Sequence, residues 1–408
     1  MTYDFDKPVD RTGSSDYKHG GLERTFGRAD LLPLWVADMD WETPHFITDA
    51  LKKRLEHSLF GYTCDPVDYW PTVQKWIEDH HGWKVDREWL SFIPGIVKGI
   101  GMVINVFLKP DEKVIVQSPI YHPFYLTPQG NEREVVWNPL KKKVISPAVD
   151  DGNGNQQDEV WTYEMDFDHL EKVCDEKCRL LLLSNPHNPA GIIWEKETLQ
   201  KLAHFAKEHN LIVVSDEIHC DMALYGNKHI PFAMVSDEAA EVSITFGAPS
   251  KTFNIAGIVS SWSIVPNEKL RTPFYKWMSA SEFNEPTIFS PIATIAALKN
   301  GEEWRQQMLK YVEGNIDFVI DYCKQNIPQI KPMRPQASFL VWLDCRALGL
   351  NHEALVDLFV DKAGLALNDG EMFGAEGKGF MRLNVGTQRS VLKMAMDKLK
   401  AAVDLMVK

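Results

Sequence analysis

No stretch of this 408-residue chain approaches the roughly 18 consecutive apolar residues that a membrane-spanning helix needs, so a transmembrane protein is not expected. The opening MTYDFDKPVDRTGSSDYKHG is polar and lacks the apolar core of a signal peptide, and a cytoplasmic address is expected. Cysteine is sparse: Cys64, Cys174, Cys178, Cys220, Cys323 and Cys345 are scattered, so a disulfide framework is not expected in a reducing compartment. Only Cys174 and Cys178 lie close together, and with His169 nearby they invite a zinc reading. Their spacing puts them on one face of a helix, but no second CxxC or HxxxH completes a ligand set, and no metal is expected. Positive charge is short as well, 44 Lys and Arg against 57 Asp and Glu. The net charge of -13 argues against nucleic acid or an anionic membrane as the main partner. Low-complexity tracts and short-period repeats are missing too.

What is present is the composition of a soluble globular protein, 44% hydrophobic and 25% charged, long enough for two lobes around separate cores. Residues 1–45 read as irregular, with LLPLWVADMDW as the one strongly apolar part. Thr43 and Pro44 start a helix whose apolar face carries Phe46, Ile47, Ala50, Leu51 and Leu55. Residues 46–286 then alternate short apolar runs stopped by proline or polar residues (EKVIVQSP, CRLLLLSNP, LIVVSDE) with amphipathic segments such as WEKETLQKLAHFAKEHN. Strand, helix, strand in that order predicts a parallel sheet with right-handed crossovers. Residues 287–408 change to long amphipathic helices followed by a smaller mixed region, which marks a second lobe shared with the N-terminal segment, with a ligand cleft between the two.

Ligands of open parallel sheets bind beyond the carboxyl ends of the strands, so polar residues there carry the functional signal. LLLLSNPHNPAG releases Asn185, His187 and Asn188, and LIVVSDEIH ends in Asp216, Glu217 and His219. Taken singly, Asn188 is a turn former and Asp216 a helix cap; at successive strand ends of one sheet they point to a site. In FIPGIVKGIGMVINVF the amides of Gly95, Ile96 and Val97 would open a helix, a place for a phosphate, although a plain helix start has the same sequence. Lys251 of APSKTFNIAG falls in a turn between two strand-like runs. It is either a solvated amine or one whose lost hydration lowers its pKa and makes it a nucleophile toward a carbonyl. In GFMRLNVGTQ, read as a strand, Arg382 and Asn384 share a face; Arg382 suits a carboxylate, the alternative being a surface salt bridge. A lysine for a Schiff base, a carboxylate for a ring nitrogen and donors for a phosphate are what pyridoxal phosphate needs.

These segments, with RADLLPLWVADMDW, FGYT, SPIYHPFY, NPHNPAG, VSDEIHCDM, PSKTFNIAG and EGKGFMRLNVG, resemble the fold-type I pyridoxal-phosphate enzymes of the aminotransferase superfamily, and within it the MalY/PatB-like cystathionine β-lyases. The resemblance runs nearly end to end. It implies an α/β aminotransferase-like fold with a large, mostly parallel seven-stranded sheet domain and a smaller α+β domain. It also implies a pyridoxal 5′-phosphate cofactor and a homodimer with active sites at the subunit interface. By that resemblance Lys251 forms the Schiff base, Asp216 pairs with the ring nitrogen, and Asn188 bonds the phenolic oxygen, with His219 where many aminotransferases have tyrosine. Tyr121 stacks on the ring and is a candidate proton donor. Gly95, Ile96, Val97, Ser250 and the other subunit's Tyr62 hold the phosphate, while Arg382 and the backbone around Ala37 bind the substrate. Ala190 and Gly95 depart from the wider pattern, in cofactor details only. The implied activity, in sulfur amino-acid metabolism including methionine biosynthesis, is α,β-elimination of cystathionine and cysteine S-conjugates to a thiol, pyruvate and ammonia. Aminotransfer, or a regulatory role through a protein partner, are the alternatives, and the preferred sulfur amino acid stays open.

Overall fold

The structure, a computed structural model, describes residues 1–147, 149–150, 156–157 and 159–406. Its central sheet has seven strands: β1 Leu90–Ile93, β2 Lys113–Val116, β3 Val135–Trp137, β4 Cys178–Ser184, β5 Ile212–Asp216, β6 Ser243–Gly247 and β7 Ser261–Ile264. They lie in the order β1-β7-β6-β5-β4-β2-β3, parallel except for β7, which runs antiparallel to both its neighbours. β5 is buried along its whole length and β4 nearly so, which is why they read as unbroken Leu and Val runs rather than as an alternation. Asp216 is in register with Ser184 on one side and Phe246 on the other, so the polar residues that follow β4, β5 and β6 emerge along one edge.

The longer helices framing this sheet and a second one include α1 His45–Leu55, α2 Tyr69–His81, α3 Ile96–Phe107, α4 Lys196–Glu208, α5 Phe289–Asn300, α6 Glu302–Asn326 and α7 Arg389–Met406. The second sheet is antiparallel, with β8 Lys331–Pro332, β9 Leu340–Asp344, β10 Asn368–Asp369 and β11 Phe380–Asn384 in the order β8-β9-β11-β10. α7 buries Leu392, Ala395, Met396, Leu399, Ala402 and Val403, the single stripe expected of a helix with one covered face. Among the described residues, no helix is long and apolar enough to cross a membrane.

Two local expectations need correction. Residues 1–45 are not merely irregular. Asp16 caps a short helix, Tyr17–Gly20, through the His19 amide, a second, Leu22–Phe26, follows, and Leu32–Pro33 pairs in parallel with Leu365–Ala366. Cys174 and Cys178 do not share a helix face. The helix Phe167–Val173 stops before them because Asp175 makes a turn of its own, its carboxylate accepting from the Lys177 amide at 3.0 Å and its carbonyl from the Cys178 amide at 3.0 Å.

Candidate active site

A cavity of about 220 Å³ opens where β4, β5 and β6 end, closed by the start of α3 on one side and the segment around Ala37 on another. Gly95, Ile96, Val97, Tyr121, Asn188, Asp216, His219, Ser250, Lys251 and Ala37 all line it. Ser184, Pro186, Ile218, Ala256, Val259 and Ser261 line it as well and were not singled out in the sequence, since each resembles ordinary strand-end or turn residues. Arg382 stands directly behind, bonded to Asn188. Tyr62 is not part of this cavity within one chain; its side chain is fully exposed.

The Lys251 turn is held by backbone bonds from Phe253 to Pro249 at 2.9 Å and from Ile255 to Ser250 at 3.0 Å, and by the fully buried ring of Phe253. These aim the amine at the cavity, where Nζ donates to the Ala37 carbonyl at 2.7 Å. Burial, and then the Arg382 charge, push this amine down to about 8, so a usable fraction is neutral near neutral pH. Asp216 closes β5, with Oδ1 accepting from the Ile218 amide at 3.0 Å. Burial raises its carboxyl to about 7, and among the described residues no cation lies at ion-pair distance from it. His219 is pushed down to about 3, first by burial and then by Lys251 and Arg382, and is neutral; its buried Nδ1 has no partner.

Arg382 is not in a surface salt bridge. It is buried on β11, with Cζ 4.9 Å over the Phe373 ring, and it donates to Asn188 Oδ1 at 3.0 Å, Asn368 Oδ1 at 2.6 Å and the Trp35 carbonyl at 3.2 Å. All three acceptors are neutral, its Nε is unpartnered, and burial pushes the guanidinium down to about 10. A buried cation without a counter-ion calls for an anionic ligand. Because Asn188 spends its oxygen on Arg382, its amide NH₂ is the end left for a ligand's oxygen.

Gly95 is the N-cap of α3 and offers no side-chain cap, so the helix's first amides face the cavity without a side-chain partner. Gly95 has φ +117°, while an added Cβ would meet nothing within 4 Å. Backbone conformation rather than space therefore excludes a side chain here, which accounts for the departure noted in the sequence. Ser250 stands beside these amides on the cavity wall, its Oγ donating weakly to the Ser260 carbonyl at 3.4 Å. An unhydrated amine, an unpaired carboxyl, a row of free amides, a neutral imidazole and an uncompensated guanidinium fit a phosphorylated aldehyde cofactor with a basic ring nitrogen, and a substrate carboxylate beside it.

A model of the aminotransferase class I and II family matches residues 31–399. The chain belongs to that family. It is 40% identical over 400 residues to the cystathionine β-lyase PatB of Bacillus subtilis strain 168, covering 98% of this chain and 99% of PatB. Cystalysin from Treponema denticola, whose crystal structure contains a pyridoxal 5′-phosphate cofactor, superposes with a TM-score of 0.91 at 32% identity, covering all of both chains. The pyridoxal-phosphate-bound C–S lyase of Staphylococcus hominis gives 0.85 at 31% identity, covering 98% of this chain and 99% of its own. The seven-stranded, mostly parallel sheet is that of this family's fold.

Proposed function

We propose that the protein is a pyridoxal-phosphate-dependent carbon–sulfur β-lyase that converts L-cystathionine and related cysteine S-conjugates, with water, to a thiol, pyruvate and ammonia, the thiol from cystathionine being homocysteine. Similarity to PatB along nearly the full length of both chains carries the choice of a lyase. The cofactor is supported by the cavity, where the Lys251 amine and the unpaired Asp216 carboxyl face one space with the free amides of α3.

Pyridoxal phosphate, when bound, supplies an aldehyde for an amine and a ring that draws electrons from the substrate Cα. Lys251 would hold the aldehyde, Asp216 the ring nitrogen, Asn188 and His219 the phenolic side, Tyr121 the ring face, and Gly95, Ile96, Val97 and Ser250 the phosphate. Arg382 then binds the substrate carboxylate with the charge it cannot balance internally. That contact orients Cα toward Lys251, which takes the Cα proton as general base. Tyr121, its phenol held protonated by burial, would give a proton to the departing sulfur, besides stacking on the ring. Incubation with cystathionine and no keto acid tests the reading. Steady pyruvate release is expected, and one turnover that halts until a keto acid is added would identify an aminotransferase instead.

The active unit is a homodimer in this reading, with Tyr62 completing the phosphate site of the partner. The fully exposed Tyr62 ring, with Leu59, Phe60 and Val67 exposed around it, supports an intersubunit role. Mixing the separately inactive Lys251→Ala and Tyr62→Ala proteins should then restore activity. Random reassortment makes half the dimers mixed, each with one intact site, so recovery approaches about a quarter of wild type. No recovery after subunit exchange would place Tyr62 outside the partner's site. All six cysteines are free thiols, which suits the cytoplasm.

A further inference from the structure

Lys251 and Arg382 lie on different elements, yet both are tied to residues 35–41, Arg382 through the Trp35 carbonyl at 3.2 Å. Lys251 Nζ donates to the Ala37 carbonyl at 2.7 Å. Asn254, in the same turn as Lys251, accepts from the Met39 amide at 2.9 Å and donates to the Met39 and Trp41 carbonyls at 2.8 and 2.9 Å. Asn384, on the same strand face as Arg382, donates to the Val36 and Asp38 carbonyls, both at 2.6 Å. The segment also carries charge. Arg11 reaches Asp40 at 2.8 Å, Asp38 at 3.2 Å and Asp16 at 3.5 Å, while Lys18 reaches Asp40 at 2.8 Å and Asp38 at 3.5 Å. The Lys18 side chain is wholly buried and its carbonyl accepts from Trp35 Nε1 at 2.9 Å, so the cluster is built into the core. Three carboxylates face Arg11 and Lys18, and His19 Nδ1 lies 3.0 Å from Asp16 Oδ1. Asp38 Oδ1 is buried without a hydrogen-bond partner, next in sequence to the carbonyl that receives the lysine.

We propose that Asp38 is a positioning residue for the base: held by Arg11 and Lys18 beside the Ala37 carbonyl, its carboxylate favours the ammonium form of Lys251 and so holds the proton the lysine takes up. The inference rests on the reading of Lys251 as general base. In that step the Cα–H bond breaks, the proton passes to Nζ and the electron pair stays on carbon. The groups around Lys251 are Arg382, which disfavours its ammonium, Asp38 and Asp216, which favour it, and neutral His219. Once a substrate carboxylate balances Arg382 and a cationic ring nitrogen balances Asp216, Asp38 is the carboxylate of this set that still acts on the amine. Arg11 and Lys18 together hold its side chain in place.

Two substitutions of opposite sign test this in the full-length protein. After hydroxylamine removes the cofactor, the pH dependence of Lys251 acetylation by acetic anhydride, followed by peptide mass spectrometry, gives the titration midpoint of the amine. Asp38→Asn removes a negative charge and should lower the midpoint by roughly 0.5 to 1 unit, raising acetylation at pH 7 about threefold or more. Arg11→Gln removes a cation while the buried Lys18 still holds Asp38, and should raise the midpoint. In the holoenzyme the pH midpoint of the cofactor's visible absorption should move in the same two directions. A merely structural cluster would loosen in both variants and shift both midpoints the same way. Unchanged midpoints, or shifts of one sign, overturn the proposal. Pyruvate release by the wild type is scored separately: opposite shifts without pyruvate would count against the lyase reading alone.

Discussion

Replacing Lys251 by alanine should lower pyruvate release from cystathionine by about 10³-fold or more, because one change removes both the carbonyl-holding amine and the base. The rate is read by coupling pyruvate to lactate dehydrogenase. The purified variant should also lose its covalently attached yellow cofactor. The two roles can be separated: small external amines fit the space left by the side chain and should recover part of the activity, with recovery rising with amine basicity. Full activity together with a covalently attached cofactor in Lys251→Ala would remove this residue from the mechanism. The substitution should not unfold the chain, since the turn is set by the Phe253 to Pro249 and Ile255 to Ser250 bonds and by the buried Phe253 ring, none of which involves the amine.

Much of this site is legible in the sequence because it is local. Asp216 closes β5, and Asn188 and Lys251 each lie four residues past the ends of β4 and β6, so the strand that places them also announces them, and β11 puts Arg382 and Asn384 on one face by simple alternation. What stays hidden is contact between segments distant in the chain. The pairing of Arg11 and Lys18 with Asp38 and Asp40 belongs to residues that singly look like solvated charges, and only the folded chain shows Lys18 buried. The same limit explains Arg382. Its apolar sequence neighbours suggest burial, but its neutral partners Asn188 and Asn368 come from other elements, and only they show that it lacks a counter-ion. Cys174 and Cys178 mislead in the opposite way. Their spacing suits a helix, whereas one aspartate between them bonds its neighbours' amides and ends it.

Asp216→Asn should trade activity for stability, and the trade depends on pH. Burial raises this carboxyl from 3.8 to about 7, so without cofactor the ionised form is disfavoured in the folded state relative to the unfolded chain. Below pH 4 both states carry the proton, and the substitution is close to neutral. As pH rises toward 7 the unfolded chain releases its proton while the folded one keeps it, and wild type loses stability that the asparagine variant retains. Cofactor-free Asp216→Asn should therefore exceed wild type by about 2 kcal/mol near pH 5 and by up to about 4 kcal/mol at pH 8, measured by urea unfolding. In the holoenzyme Asp216 gains a cationic neighbour that asparagine cannot balance. The stability order should then reverse, and pyruvate release should fall by about 10² to 10⁴-fold. A cofactor-free stability difference that stays flat between pH 5 and pH 8 would mean that Asp216 is ionised without penalty, and its role as the unpaired carboxyl waiting for a ring nitrogen would have to be given up.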